Sequence, residues 1–163
     1  MPILPFDKLF AIVKETCTHA EAVIDEATTP KGFKIHPLDL KKVCFNLRQN
    51  PSTFFDMLSC LTGIDNGPEA GTMEVIYNLY SIPFNHHLML KVTVPRDSPE
   101  VDSVEDIWRT ADWHEREAYD MFGIKFKGHP DLRRILMPGD WEGFPLRKDY
   151  KQQEYYRDIK VEY

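Results

Sequence analysis

The sequence predicts an α+β fold: a small antiparallel sheet with helices on one face, followed by an extended, irregular C-terminal arm. Three observations lead to this prediction. Apolar residues recur at helical spacing near the N-terminus and again around Ala111, and they alternate along segments in the middle of the chain. Prolines and glycines then interrupt every pattern after Gly123. The 163 residues, 42% of them hydrophobic, are enough for one such domain with a long tail.

Helical and extended patterns follow one another in the first third of the chain. Residues 6–13 carry apolar side chains at helical spacing, and residues 22–27 alternate as a strand does. Pro37 stands at a predicted N1 position of a second helix, which Pro51 ends. We interpret residues 54–64, a mixed apolar segment, as the end of a helix that runs into a strand.

The middle of the chain predicts two strands of the sheet. A cluster of turn-forming residues at 65–71 comes first. Residues 72–82 and 88–94 then have strand patterns, and the alternation in the second indicates that one of its faces is buried. Pro95 ends this strand.

A further helix is predicted between Ser103 and Gly123. Ser103 and Asp106 resemble a capping box at its start, and Gly123 stands where a glycine C-cap belongs. Asp112 with Glu115 could also start a separate helix after a kink. One helix and two helices therefore both stay open at this point.

We place the domain boundary after Gly123. Residues 1–123 form the predicted α+β domain, which ends in the helix that carries the Glu115-Arg116-Glu117 triplet. Residues 124–163 have no sustained period, yet they are rich in Leu, Ile, Phe, Trp and Arg. Such a segment buries little of its own surface, so we predict an arm that binds a partner.

Charge and hydropathy exclude several classes of function. The net charge is −6, and residues 128–163 contain seven basic and seven acidic residues, so the acidic excess lies entirely in the first 127. An acidic body makes free nucleic acid a poor partner. No apolar run approaches the roughly 20 residues that a membrane-spanning helix needs, and residues 1–5 do not resemble a secretory signal.

Cofactor-binding motifs are also missing from the sequence. The three cysteines, Cys17, Cys44 and Cys60, are too few and too widely spaced for an iron–sulfur cluster. His114-Glu115 begins like the zinc motif H-E-x-x-H, but position 118 is alanine. We expect the chain to bind no metal and no cofactor and to contain no catalytic residue.

The triplet suggests an ion-pair clasp rather than catalysis. Glu115 and Glu117 are two positions apart, so on a helix their side chains point about 200° apart and cannot flank one substrate. Glu115 falls on the apolar stripe, where a carboxylate is costly unless it is paired. We predict that Arg133 and Arg134 pair with it and fasten the arm to the helix, so that replacing Glu115 with Gln lowers stability. Arg116 has acidic residues one turn before and after it for ion pairs.

The arm itself has the composition of a protein interface. Trp141, Phe144 and Tyr150 are predicted anchors, with Arg147 and Lys148 beside them, because aromatic residues and arginine dominate such contacts. A phosphate-binding patch is less consistent, since acidic neighbours offset the charge. The alternative that the tail only packs on its own domain stays open.

Two runs of residues, 111–124 (ADWHEREAYDMFGI) and 128–136 (GHPDLRRIL), resemble the 30 kDa subunit family of complex I, which in bacteria is the C subunit of NADH-quinone oxidoreductase. The resemblance continues in order and spacing through further positions: Met137, Pro138, Trp141, Gly143 and 145–150. Three positions depart from the usual family pattern and affect the expected local contacts with partners: Gly139, Phe144 and Lys151.

The resemblance implies a peripheral-arm subunit on the cytoplasmic side of the bacterial inner membrane that binds no cofactor itself. Its partners would be the 49 kDa-type quinone-site subunit and the terminal-cluster subunit. The complex would pass electrons from NADH through FMN and iron–sulfur clusters to quinone and translocate protons, while this chain acts as a scaffold. The residues expected to serve structure or partner contact are Glu115, Arg116, Glu117, Arg133, Arg134, Trp141, Arg147, Lys148 and Tyr150.

Three other functions remain compatible with the sequence. The same scaffold could serve a related complex that is fed by ferredoxin or F420 or linked to a hydrogenase, since the chain has no electron-input site of its own. A free assembly adaptor would leave the mature complex. A self-contained enzyme would use Glu115 or Glu117 as a general base.

Overall fold

The computed structural model describes residues 4–26 and 28–161. Within these residues the three α-helices are α1 (Phe6–Thr16), α2 (Leu40–Gln49) and α3 (Ala111–Phe122), and a 3₁₀ turn at Pro37–Asp39 leads into α2. The strands are β1 (Val23–Asp25), β2 (Gly32–Lys34), β3 (Met57–Asp65), β4 (Thr72–Ser81), β5 (His86–Pro95), β6 (Glu100–Asp102), β7 (Lys125–Lys127), β8 (Tyr155–Tyr156) and β9 (Ile159–Lys160). None of these helices is long and apolar enough to cross a membrane.

The main sheet has five strands in the order β1-β2-β5-β4-β3. Three of its four neighbouring pairs are antiparallel, and β4 and β5 pair along their full ten residues. The pair β2 and β5 is parallel, which departs from the predicted antiparallel sheet. A parallel pair needs a long crossover connection, and α2 with the β3–β4 hairpin provides it.

One face of the sheet forms the core with the helices. The alternating residues Met73, Val75, Tyr77 and Leu79 of β4 are at most 1% exposed. Buried apolar residues from each of the three helices belong to the same hydrophobic cluster, while the other face of β4 is only half-buried. The α+β fold with helices on one face is therefore confirmed.

The predicted helix end within residues 54–64 is wrong. Helix α2 ends at Gln49, and the carbonyl of Leu47 accepts hydrogen bonds from Thr53 Oγ1 at 2.8 Å and Phe55 N at 3.0 Å. These bonds cap α2 and turn the chain directly into β3. The predicted strand at 22–27 is present as β1, although Ala27 lies outside the described residues.

The predicted helix start at Ser103 is also wrong. Strand β6 precedes Ser103 and pairs in parallel with β7, and turns follow until α3 begins at Ala111. The predicted end at Gly123 is confirmed: Gly123 has φ +76° and donates its N–H to the carbonyl of Tyr119 at 2.8 Å. Beyond Gly123 the chain stays paired and buried as far as β7, where Phe126 is 3% exposed.

Candidate partner-binding surface

Glu115 lies in the core on the inner side of α3 and is 0% exposed. Its carboxylate accepts hydrogen bonds from Ser103 Oγ at 2.6 Å and from Val104 N at 2.8 Å. Burial raises the pKa of Glu115 to about 7; the two hydrogen bonds oppose this shift, and the nearby Glu105 and Asp106 add to it. Ser103 thus holds Glu115 rather than starting a helix.

The predicted pairing of Glu115 with the arm arginines is therefore wrong. Glu115 is buried as expected from its place on the apolar stripe of the helix. However, its hydrogen-bond donors are Ser103 and Val104, between β6 and α3, and not residues of the arm. Arg133 is bound to Asp131 at 2.8 Å, and both side chains are more than half exposed. Arg134 pairs with a different carboxylate, Asp120.

Asp120 is the buried carboxylate that fastens the arm to α3. Its Oδ1 accepts from Arg134 Nη1 at 2.7 Å, and its Oδ2 accepts from the successive backbone N–H groups of Ile135, Leu136 and Met137 at 2.7–3.0 Å. Burial by itself raises the pKa of Asp120, but the hydrogen bonds from Met137 N, Arg134 and the two other amides lower it below its ordinary value.

Arg134 extends this contact across the arm. Its Nη2 donates to the carbonyls of Trp141 at 3.0 Å and Gly143 at 2.8 Å, and its guanidinium lies over the ring of Phe144 at 5.3 Å. One guanidinium therefore joins α3 to two separate places on the arm. The planar fork of arginine is suited to this set of acceptors.

The triplet is divided among three environments. Glu115 faces the core, and Glu117 is exposed. Arg116 donates to the carbonyls of Arg133 and Arg134 at 3.2 Å each, instead of forming the predicted ion pairs with acidic residues on α3. Backbone carbonyls of the arm thus replace side-chain carboxylates as the partners of Arg116.

The arm also caps the C-terminal end of α3. Leu146 N donates to the carbonyl of Met121 at 3.0 Å, and Arg147 Nε donates to the carbonyl of Phe122 at 2.7 Å. A cation at this end of a helix interacts favourably with its dipole and its unpaired carbonyls. Burial lowers the pKa of Arg147, with the nearby Arg96 as the next cause.

At the end of the sheet the arm contacts a buried ion pair of the body, Asp65 with Arg96. Asp65, the last residue of β3, accepts from Arg96 Nε at 2.8 Å and Nη2 at 3.1 Å, and from Lys148 N at 2.8 Å. Asp149 binds the same guanidinium. The hydrogen bond from Arg96 is the largest cause that holds the pKa of Asp65 below its ordinary value.

Aromatic side chains order the distal part of the arm. Trp141 Nε1 donates to Tyr150 Oη at 3.0 Å, and the Trp141 ring lies 5.2 Å from the ring of Tyr156. The predicted anchors Trp141 and Tyr150 therefore contact each other. Lys148 is exposed, and its Nζ lies 3.4 Å from the carbonyl of Asn66.

Apolar side chains remain exposed on and beside the arm. They are Trp113 at 67%, Leu136 at 61%, Leu146 at 55%, Tyr155 at 56% and Ile159 at 66%. Side chains of this size cost free energy in water and are typical of surfaces that bind another protein. We call the exposed parts of α3 and of residues 128–161 the arm surface.

One cluster of metal-type ligands lies elsewhere, at the start of α2. His19, His36 and Asp39 place ligand atoms within 4.8 Å of one another. Both Asp39 oxygens already accept hydrogen bonds from Thr18 or His19, and His36 Nδ1 accepts from Leu38 N. The hydrogen bonds from His19 and Thr18 overcome the effect of burial and lower the pKa of Asp39, so its observed role is to cap this loop.

The sequence patterns do not identify four residues whose ion pairs contact the arm or hold it to the body: Asp65, Arg96, Asp120 and Asp149. Asp65 has a partial signal, because it follows a strand and precedes Asn66-Gly67 in a turn. Asp120 is recognisable from the sequence only as a neighbour of Arg116 on the helix. Their true partners are 14 to 83 positions away along the chain, and no local pattern identifies such pairs.

Comparisons with known proteins find relatives that match most of this chain. The family model described as "Respiratory-chain NADH dehydrogenase, 30 Kd subunit" matches residues 33–156. The C subunit of the NADH-quinone oxidoreductase of Chloroherpeton thalassium is 44% identical over 161 residues, which are 98% of this chain and 66% of that protein. The protein of the same name from Chlorobium phaeobacteroides is 44% identical over 156 residues, 94% of this chain and 93% of that one.

Solved structures show the same fold. The structure titled "Nqo5 of the trypsin-resistant fragment (1-134) in P63 form" has a TM-score of 0.58 and 28% identity, and the match covers 68% of this chain and 89% of that one. A chain of an archaeal membrane-bound sulfane sulfur reductase has a TM-score of 0.72 at 22% identity over 89% and 85% of the two chains, a likeness in fold. The chain belongs to the 30 kDa subunit family of the respiratory-chain NADH dehydrogenase.

Proposed function

We propose that this chain is a cofactor-free, peripheral-arm subunit of a proton-translocating NADH:quinone oxidoreductase. In this role it holds the 49 kDa-type quinone-site subunit and the terminal-cluster subunit in a fixed geometry while electrons pass from NADH through FMN and iron–sulfur clusters to quinone. The observation that carries the proposal is the arm. It is fastened to the body by the buried Arg134–Asp120 ion pair and by the pair of Asp149 with Arg96, yet it leaves large apolar side chains in solvent.

The relatives support this proposal in two ways. Two relatives that match nearly the whole chain are named as the C subunit of NADH-quinone oxidoreductase. One solved relative is described as a trypsin-resistant fragment of residues 1–134, which fits a body that folds by itself and a C-terminal segment that serves another purpose. We extend this division to the present chain, with the body ending at Lys127 and the arm surface facing the partners.

A structural rather than catalytic role also fits the carboxylates. Glu115 has a raised pKa, as catalytic acids often do, but it is 0% exposed and is held by two hydrogen bonds, so no substrate reaches it. Glu117 is exposed, and on the helix its side chain points away from Glu115, so the two carboxylates do not form an acid–base pair. We therefore propose that the chain has no chemistry of its own. From its family we further propose a peripheral position at the cytoplasmic side of the bacterial inner membrane.

The test is purification of the complex from cells that carry the tagged full-length chain. We expect the quinone-site and terminal-cluster subunits at one copy per copy of this chain. Leu136→Asp should reduce their recovery about tenfold or more, because it puts a charge into an apolar contact. Ile82→Asp is the matched control, since Ile82 is 60% exposed on the β4–β5 turn, away from the arm surface. Recovery of the chain alone would contradict the proposal.

The same purification separates the alternatives. An assembly adaptor would be absent from the mature complex or present below one copy. The fold also occurs in an archaeal respiratory complex of a different name, so the scaffold could serve a complex with another electron donor. Quinone reduction by the purified complex with NADH, and then with reduced ferredoxin or F420, identifies the donor.

A further inference from the structure

We propose that the free edge of β3, together with the adjoining side of α3, binds an extended segment of a neighbouring subunit as a sixth strand of the sheet. This inference rests on the proposed function, because it assigns a particular contact within that complex. Addition of a strand to an exposed sheet edge is a recurrent mode of peptide recognition, in which backbone hydrogen bonds provide affinity and neighbouring pockets provide specificity.

The two edges of the main sheet differ in how they are protected. The β1 edge is only three residues long, and short edge strands resist pairing with other chains. The β3 edge is nine residues long, and residues 57–64 contain no proline, no lysine and no other charged residue. A bulge between Leu58 and Cys60 protects only the start of this edge. A long, uncharged edge is a template for a further strand.

The backbone of the β3 edge beyond the bulge has room for a new partner. At Leu58 the carbonyl accepts from Thr110 Oγ1 at 3.2 Å, so the start of the strand is closed. For residues 59–64, the described part of the chain provides backbone hydrogen bonds only within the sheet. Among the same described residues, the side-chain contact to this backbone is a weak one from the Cys60 thiol to the Leu61 carbonyl at 3.7 Å.

A groove runs along this open stretch. One wall is formed by the four consecutive residues 60–63 of β3, and the other by α3 and Leu146 of the arm, around a volume of roughly 200 Å³. Ala118 and Met121 make the α3 wall apolar, while Glu117 adds an exposed carboxylate. His114 lines the same groove, and its Nδ1 is buried with no hydrogen-bond partner among the described residues.

These features favour a different subunit over a second copy of this chain. Pairing of two β3 edges about a two-fold axis would bring two acidic bodies together and put two Glu117 carboxylates at one interface. The groove is complementary to a strand that carries apolar side chains and a basic side chain opposite Glu117. Leu146 belongs both to the groove and to the arm surface, so the two contacts form one continuous interface.

The first test is photocrosslinking from Cys60, which is exposed on the open stretch of β3. The full-length chain in a Cys17→Ser background is labelled with a benzophenone maleimide and assembled into the complex, which is purified through a different subunit. We expect one major adduct between Cys60 and an extended segment of a neighbouring subunit. A Cys60→Ser, Thr93→Cys variant is the control, because Thr93 is exposed on β5, which β4 separates from β3.

The second test introduces a lysine on the β3 edge, because natural edge strands use lysine to prevent pairing with another chain. Thr62→Lys should lower incorporation of the chain into the complex about tenfold, and Glu117→Lys should lower it less. The matched controls are Thr93→Lys on the same outer face and Glu69→Lys in the β3–β4 turn. Both controls should assemble like the unchanged chain, and the unfolding midpoints of all four should be similar.

The outcomes distinguish this inference from the proposed function. If the chain is present in the purified complex, but Cys60 gives no adduct and Thr62→Lys assembles as Thr93→Lys does, the edge-strand inference is overturned and the scaffold role stands. An adduct between two copies of this chain overturns it as well. If the chain is missing from the complex altogether, the proposed function fails first.

Discussion

Helix α3 buries two carboxylates, Glu115 and Asp120, whose electrostatic environments are opposite. Both are 0% exposed. Among the described residues Glu115 receives two hydrogen bonds and forms no ion pair with a cation, and burial raises its pKa to about 7. Asp120 receives three backbone N–H groups and a guanidinium, so its pKa is lowered although burial acts in the other direction. The number and charge of the donors, not burial alone, decide which form of a buried carboxylate is stable.

The difference matters for the role of each residue. Asp120 is one of the residues through which the arm contacts the body, and its ionised form is required for the Arg134 pair. Glu115 joins α3 to the end of β6: its two hydrogen bonds favour the ionised carboxylate, whereas burial favours the protonated form and has the larger effect. The same helix thus uses one carboxylate for the arm and another for the core, and substitutions can test each separately.

Asp120→Asn should have the largest effect. The variant leaves the Arg134 guanidinium, 14% exposed, without its anionic partner, and breaking a buried pair costs about 3–5 kcal/mol. Urea denaturation should show this loss, and trypsin should cut faster after Arg133 and Arg134. Asp131→Asn, which changes an exposed ion pair, should stay close to the unchanged chain; equal losses for both variants would contradict the assignment.

Glu115→Gln should change the pH dependence of stability. The folded pKa of about 7 exceeds the ordinary value, so the contribution of Glu115 is complete at acidic pH and is lost as pH rises from about 4.5 through 7. At about 1.4 kcal/mol per unit the loss is roughly 3 kcal/mol. Glutamine mimics the protonated form of Glu115, so the unfolding free energy of the variant should change less between pH 5 and 8 than that of the unchanged chain.

This outcome reverses the expectation from the sequence. Because Glu115 is not paired with Arg133 or Arg134, its replacement by glutamine breaks no ion pair with the arm. At pH 8 the unfolding free energy of Glu115→Gln should therefore equal or exceed that of the unchanged chain. A Glu117→Gln control, at an exposed position, should preserve the original pH profile. If the unfolding free energy of Glu115→Gln depends on pH as strongly as that of the unchanged chain, a group other than Glu115 is responsible for the pH dependence.

Arg134→Lys should have an intermediate effect. Lysine keeps the charge near Asp120 but cannot donate simultaneously to Asp120, Trp141 and Gly143 as the guanidinium does. We expect a loss of about 1–3 kcal/mol, measured by urea denaturation. The control is Arg133→Lys, at the exposed neighbouring arginine, which should leave the unfolding free energy almost unchanged. If Arg134→Lys also leaves it unchanged, the positive charge alone fastens the arm.

Ser103→Ala should have the smallest effect. It removes one of the two hydrogen bonds that oppose the rise in the pKa of Glu115, so that pKa should increase further. Stability should fall by about 1 kcal/mol at pH 8 and by less at pH 5. Titration of stability against pH measures both, and Ser98→Ala, at an exposed serine, should show no such difference.

The parts of the fold that are predicted correctly are those that local patterns control. The end of α3 at Gly123, the strands β4 and β5 and the end of α2 before Pro51 follow from backbone preferences and periodicity within a few residues. The helix start at Ser103 and the helix end within residues 54–64 are wrong. There, pairing of β6 with the distant β7, and capping of α2, replaced the local preference.

The sequence by itself determined the α+β class, the family and the burial of position 115. Only the tertiary structure decided that Arg134 meets Asp120, that Glu115 is bonded to Ser103, and that Asp65, Arg96 and Asp149 form one network. The physical reason is that ion pairs and hydrogen bonds form between whichever groups the packing brings within about 3 Å. Hydrophobic periodicity shows which positions are buried, but several carboxylates and arginines satisfy the same pattern equally well.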